Sequence, residues 1–337
     1  MSHHTYIRDL GANQYVDGVY AIQNCQLGQT KTGKPYIKCL ISDKTGRTPG
    51  RMWNTTKELF RQLPTDGFVF IAGQTQPYQG EMQIIMEKVE PHAPTAQELG
   101  ELLPTTTFDV DKMFAEVLQV LGSLEHPALQ ALAGTYLADG ELMNRFCQAP
   151  AAMTLHHAYL GGLLEHTLQL LRLAEASLPH YPSLNRDIVL FGLFIHDLGK
   201  CEELLWLQGF AYSDDGNLVG HIARGNLMLE RMAQACQDNP EHPVKIPMPI
   251  LRVLHHIIIS HHGELEHGAA KIPATPEAIF IANLDNLDAK MNMAISATRP
   301  NTAAEQDKSL GGHFTEKIWA LGTKLYRPDP TTVTEPD

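Results

Sequence analysis

Residues 193–204 read LFIHDLGKCEEL: an apolar run meets His196 and Asp197, and Lys200 follows about one turn later. The run has the character of a buried helix, and Gly199 is placed to end it as a left-handed cap. A carboxylate at the end of such a helix is costly to bury unless a cation sits beside it. A metal ion would supply that charge, and imidazole is the side chain metals most often take. The His-Asp dipeptide alone is a weak signal, so its company decides.

That company is further histidine and aspartate on separate helical segments. Residues 161–171, GGLLEHTLQLL, carry His166 on an amphipathic repeat; residues 283–291, NLDNLDAKM, carry Asp285 and, three residues on and on the same face, Asp288. Between them, residues 216–229 (GNLVGHIARGNLML) hold His221 and Arg224, and residues 251–268 (LRVLHHIIISHHGELEHG) hold His255, His256, His261 and His262. Twelve of the 17 histidines lie between His156 and His267, and His156 and His157 could face the same cleft. Packing accounts for others: His255 fits a neutral helix contact, and His180, His242 and His267 read as surface residues. Lys200 would also suit the dipole at a helix end.

The 337-residue chain is long enough for roughly two domains. Residues 1–90 hold ten Lys and Arg against eight Asp and Glu, whereas the other 247 hold sixteen against thirty, so the net charge of -12 belongs to the second part. Such acidity excludes a protein that coats nucleic acid over its whole surface. A local basic stripe survives, however: Lys31, Lys34, Lys38, Lys44, Arg47, Arg51, Lys57 and Arg61 face only Asp43 and Glu58 within residues 29–61. The same region reads as strands near 16–25, 36–43, 48–53, 68–75 and 82–89, with turn residues between them and a helix-compatible stretch at 55–62. That is the order of a five-stranded OB-fold β-barrel, and TGKPYIKCLISDKTGRTPGRMW (32–53) resembles OB modules of the tRNA-anticodon-binding type. Alternation assigns at least two of Trp53, Phe68 and Phe70 to the barrel core, and Tyr36 and Tyr78, beside turns, to stacking on bases.

After Pro91 and Pro94 the pattern turns helical and stays so. The expected division is an OB-fold over 1–92, a helical connector over 93–150 packed on the domain that follows, an all-α domain over 151–325 and a polar, proline-rich, flexible tail over 326–337. Five scattered cysteines without a CxxC pair read as reduced thiols, no apolar run reaches the roughly 18 residues of a membrane span, and MSHHTYIRDL lacks a signal-peptide core. A soluble cytoplasmic protein with no membrane partner is expected.

The order His, His-Asp, Asp on separate helices resembles the HD-domain superfamily of metal-dependent phosphohydrolases. The resemblance implies His166, His196, Asp197 and Asp285 as protein ligands of one metal, with Asp288 the alternative to Asp285. His221, His261 and His262 match the order of a second site in two-metal members, near which His256, Asp288 and Arg224 would bind metal or phosphate. With the barrel in front, CQAPAAMTLHHAYLGGLLEHTLQLL (147–171) and IISHHG (258–263) make residues from about 15 to 325 similar to the YhaM family of 3'-to-5' exoribonucleases. That similarity implies hydrolysis of single-stranded RNA, and DNA remains open, to nucleoside 5'-monophosphates. It implies one or two divalent ions, Mn(II) foremost and Co(II), Fe(II) or Ni(II) as alternatives, with His196, Asp197 and Lys200 at the reacting phosphate. Lys31, Lys34, Tyr36, Lys38, Arg51, Trp53 and Tyr78 would hold the strand, and a homo-oligomer would hold it better than one barrel. Two other readings stay open: an HD-type phosphodiesterase or nucleotidase acting on a small nucleotide, and a non-catalytic RNA-binding protein.

Overall fold

The computed structural model describes residues 4–30, 32–53, 55–78, 81–153, 157–206, 210–299, 313–329 and 331; Lys31 and His156 lie outside the described residues. Five strands, β1 (Tyr15–Gln29), β2 (Pro35–Asp43), β3 (Gly46–Trp53), β4 (Gly67–Tyr78) and β5 (Glu81–Pro91), close into a barrel in the order β1-β2-β3-β5-β4. Helix α1 (Lys57–Gln62) lies between β3 and β4, its first turn capped by the Thr56 side chain accepting from the Leu59 N–H. The ladders are antiparallel except β3–β5, which is parallel and holds through two pairs, Gly50 with Ile84 and Arg51 with Ile85. Strand order and helix position together make this an OB-fold.

Period-two alternation turns Ile37, Cys39 and Ile41 of β2 inward, where they meet Ile22, Val69, Ile71 and Ile84. The aromatic expectation needs correction, because branched aliphatic side chains fill this narrow interior, and among the described residues Tyr20 is the one fully buried ring in it, with Phe60 packed at its edge. Phe68 is buried outside the barrel, against Leu102 and Leu103; Phe70 is partly covered, with Lys88 over its ring; Trp53 is 42% exposed. Leu102 and Leu103 end helix α2 (Ala96–Leu102), which starts at a Thr95–Glu98 capping box. Leu160 and Phe210 of the helical part pack on the same small cluster, so α2 lies between barrel and helices.

The helical part comprises α3 (Val110–Gly122), α4 (Pro127–Ala138), α5 (Gly140–Gln148), α6 (Gly162–Ser177), α7 (Arg186–Ile195), α8 (Lys200–Glu203), a hairpin of β6 (Leu204–Leu205) and β7 (Ala211–Tyr212), α9 (Asp214–Leu218), α10 (Gly220–Gln237), α11 (Met248–Ser260) and α12 (Pro276–Thr298). One apolar core takes residues from α3 through α7 and from α10 through α12, so most of the expected connector is packed into it. Helix α7 is buried on every side from Asp187 to Ile195, as its continuous apolar run requires. Phe194 meets Tyr136 and Phe146 edge to face at 5.9 and 5.8 Å.

Gly199 corrects another expectation. Its backbone is right-handed helical, φ -57° and ψ -23°. Glycine is required there by proximity: a Cβ would lie 2.1 Å from the His221 carbonyl oxygen. At the other end, Tyr326 and Arg327, assigned to the flexible tail, are held by the Arg327 N–H on the His313 carbonyl (2.8 Å) and the Tyr326 ring on Phe314. Residues 332–337 lie outside the described residues. Among those described, no helix is long and apolar enough to cross a membrane.

Candidate metal centre

Helix α7 carries His196 and Asp197 into the middle of the helical part, where both are buried. The two Asp197 oxygens face different groups. Oδ2 lies 3.5 Å from His196 Nε2, 3.9 Å from His166 Nε2 and 2.7 Å from Lys200 Nζ, while Oδ1 lies 3.4 Å from His261 Nε2 and 3.6 Å from His221 Nε2. Asp285 stands on the Nε2 side of His166 at 3.2 Å. Thus α6, α7, α10, α12 and the end of α11 each bring one part of the sequence-predicted set together.

Each ring is oriented by its far nitrogen. His196 Nδ1 and His261 Nδ1 lie 2.7 and 2.8 Å from the carbonyls of Leu193 and Ile258, which can only accept, so both Nδ1 atoms carry the proton. His221 Nδ1 is held by Glu203, and His166 Nδ1 by Asp288 at 2.7 Å. The four Nε2 atoms therefore turn toward the shared Asp197 carboxylate. This is the orientation that metal-ligating histidines need. Among the described residues, His196 Nε2, His221 Nε2, His261 Nε2 and Asp197 Oδ1 are buried without a hydrogen-bond partner. Converging lone pairs of this kind fit a borderline divalent cation. Among the described residues three groups could hold one: His166 with His196 and Asp197, His221 with His261 and His262, and His157 with His166 and Asp288.

At Asp197, Lys200 and His262 the electrostatics agree with that fit. Burial disfavours the Asp197 charge, yet Lys200 and His196 hold its carboxyl well below the usual range. Burial likewise works against Lys200, but Asp197 raises it and keeps it an ammonium. His262 is pushed down to about 3, mainly by burial and then by His261, which leaves it a neutral lone-pair donor. His166 shows the opposite balance: Asp285 and Asp288 outweigh burial and raise it to about 9.

Some expected residues take other places. His256 Nε2 accepts from the Ala274 N–H at 2.8 Å, which fixes the loop before α12 and occupies that nitrogen. Arg224 pairs with Asp215, with Glu202 at 3.9 Å, so surface carboxylates already hold its guanidinium. Asp288 takes His166 Nδ1 and His157 Nε2 on the side away from Asp197. The sequence reading missed Glu203 and Tyr159; nothing in the sequence separates Glu203 from Glu202 beside it.

On the barrel, β2 and β3 present one outward face. Tyr36 pairs with Trp53 and Lys38 with Arg51, while Met52, Ile37, Cys39 and Gly50 occupy the alternate positions. Tyr36 and Trp53 rings lie 5.1 Å apart, and the Arg51 guanidinium sits 5.9 Å from the Trp53 ring centre and 5.8 Å from that of Tyr78. Like charges set directly opposite destabilise a sheet. The Lys38–Arg51 pair is flanked by the exposed Trp53 and Tyr78 rings, a charged and aromatic surface that could take an anionic, aromatic ligand, and Lys34 lies exposed in the β1–β2 turn.

Fold and site define a barrel-linked HD-domain metallohydrolase. A family model described as HD domain matches residues 163–290. The chain is 32% identical over 317 residues to the 3'-5' exoribonuclease YhaM of Geobacillus sp. (strain WCH70), covering 94% of this chain and 92% of that relative. It belongs to the YhaM family. Among solved structures, the second OB-fold domain of replication protein A from Methanococcus maripaludis is 13% identical with a TM-score of 0.23, covering 28% of this chain and 98% of that one. A replication protein A heterotrimer bound to ssDNA is 12% identical with a TM-score of 0.21, covering 29% and 71%. The OB-fold assignment rests on strand order.

Proposed function

We propose that this chain is a 3'-to-5' exoribonuclease that shortens single-stranded RNA to nucleoside 5'-monophosphates in the cytoplasm. The observation that carries the reading is the set of four histidines, each tied at Nδ1 and aimed by Nε2 at Asp197. His166, His196, Asp197 and Asp285 would hold one divalent ion, with Mn(II) proposed, and His221, His261 and His262, sharing Asp197, a second. Such ions supply a Lewis acid for the phosphoryl oxygens and an acidified water.

The chain's own groups do the rest. Lys200, fixed by Asp197, offers a positive charge to the phosphoryl group in the transition state. Asp285 faces the cleft and Asp288 fixes the His166 tautomer, which favours Asp285 as the terminal ligand. Beside His262, a cavity of about 280 Å³ lined by Ile272, Ile279, Asn283, Asn286 and Lys290 gives the terminal nucleoside an apolar wall and polar edges. Tyr36, Lys38, Arg51, Trp53 and Tyr78 hold the upstream strand by stacking and charge.

The test is purified protein with 5'-labelled single-stranded RNA and Mn(II). The expected result is a ladder of stepwise shortened products and release of nucleoside 5'-monophosphate. An intact oligomer alongside turnover of a small nucleotide would replace this reading with the phosphodiesterase one.

A further inference from the structure

A line of hydrogen bonds leaves the candidate metal centre and ends in the segment that joins helices to barrel. His166 Nδ1 meets Asp288 Oδ2 at 2.7 Å, and the same oxygen meets His157 Nε2 at 2.9 Å. His157 Nδ1 lies 2.8 Å from the Tyr159 hydroxyl, which donates to Glu165 Oε1 at 2.8 Å. Glu165 Oε2 accepts from the Thr106 hydroxyl at 2.5 Å. Thr106 stands four residues after Leu102, whose cluster packs on Ala21 and Phe68 of the barrel.

The line is locally over-determined. Leu160 N–H donates to the Pro104 carbonyl and Thr106 N–H to the Leu160 carbonyl, both at 2.9 Å, so the 157–162 loop is laced to the joining segment. His157 adopts φ 50°, an uncommon conformation for a side-chain-bearing residue, and its N–H donates to Asn292 of α12. A Cβ on Gly162 would lie 2.1 Å from the His157 carbonyl oxygen. Strain of this kind persists where the surroundings enforce it and marks positions with a task. Packing alone would place apolar side chains more cheaply than a chain of carboxylates, rings and hydroxyls that runs from buried His166, Asp288 and His157 out to partly buried Tyr159, Glu165 and Thr106.

We propose that Tyr159, Glu165 and Thr106 are positioning residues for His166, which set metal affinity from the joining segment by holding His157 and Asp288 in place. The proposal rests on His166 being a metal ligand. Direct partners of a ligating histidine, here Asp288, typically alter metal affinity by about 10–100-fold. Tyr159, Glu165 and Thr106 lie two, three and four hydrogen bonds beyond Asp288, so about tenfold is the most each should carry.

The test is Mn(II) titration of the metal-stripped full chain by calorimetry, with no RNA present. Tyr159→Phe and Glu165→Gln should each weaken binding about tenfold. Thr106→Val should weaken it severalfold while Thr106→Ser, which keeps the hydroxyl, retains wild-type affinity; a merely structural role would not separate those two. His166→Ala is the control. If it binds Mn(II) as tightly as wild type, the ligand assignment fails and the proposal with it. If His166→Ala loses the metal while Tyr159→Phe, Glu165→Gln and Thr106→Val keep wild-type affinity, the ligand stands and the relay is refuted. Should Tyr159→Phe or Glu165→Gln unfold, the comparison of Val with Ser at position 106 decides.

Discussion

Arg51→Gln separates grip on the strand from integrity of the fold. Arg51 faces Lys38 across the β2–β3 ladder, has the Trp53 and Tyr78 rings within 6 Å, and forms no ion pair among the described residues. Opposed like charges cost the sheet about 0.2–1 kcal/mol, which the substitution relieves. Exposed cation–π contacts contribute about 0.5–1 kcal/mol, which it removes. The two nearly cancel, so the melting temperature should stay within about 2 °C of wild type. Binding has no such cancellation: one charged phosphate contact is worth about 1.5–3 kcal/mol, a loss of about tenfold or more. A plot of log K against log salt should flatten by about 0.7, the share of one phosphate on a single strand. The assay is fluorescence anisotropy of labelled RNA in chelator across a salt series, beside turnover of a dinucleotide with Mn(II). Dinucleotide turnover should be unchanged. An unaltered salt slope, or equal losses on both substrates, would refute assignment of the strand to this face.

Three further outcomes are expected. Replacing His196 and Asp197 together by Ala should abolish hydrolysis and leave anisotropy-measured RNA binding intact; retained turnover would remove the site assignment. Gly199→Ala should lower stability by about 1–3 kcal/mol and reduce bound metal measured by elemental analysis, since the new Cβ meets the His221 backbone at 2.1 Å; wild-type melting and metal content would contradict it. Asp43 is a pH prediction: burial opposes its charge, but hydrogen bonds from His4, Thr45 and Ile7 hold its carboxyl below the ordinary 3.8. A depressed folded value means stability present above about pH 4 and lost as pH falls through that value. Asp43→Asn should therefore cost about 1–3 kcal/mol at pH 7 in denaturant melts and progressively less toward acid, and a constant deficit at all pH values would exclude this linkage.

The strands were legible because alternation and turn residues act over a few positions, as in Tyr36–Trp53 with its Thr-Gly-Lys-Pro turn. The candidate metal set was read through its resemblance to the HD-domain superfamily, and the apolar pattern added only which helices are buried. Helix α7 is the plainest case. What pattern could not carry was direction around each ring: the bond from His256 to Ala274, or that from Asp288 to His157, depends on where distant segments cross. Gly199 shows the same limit, since a glycine that caps and a glycine that admits a neighbouring backbone are written alike. Phe68 was legible as buried, but which of two cores receives it depends on α2, more than thirty residues away in sequence.

The barrel closes through its shortest ladder, two residue pairs between β3 and β5, and Arg51 is one of the four residues in it. The guanidinium reaches from there toward Tyr78 at the far end of β4, so the side chains proposed to hold the strand straddle the seam itself. In evolutionary terms the two traits are linked. A lineage that alters the backbone at this seam to change its substrate range also changes how the cylinder shuts, which leaves variation in the exposed rings and in Lys34 as the freer route to new preferences.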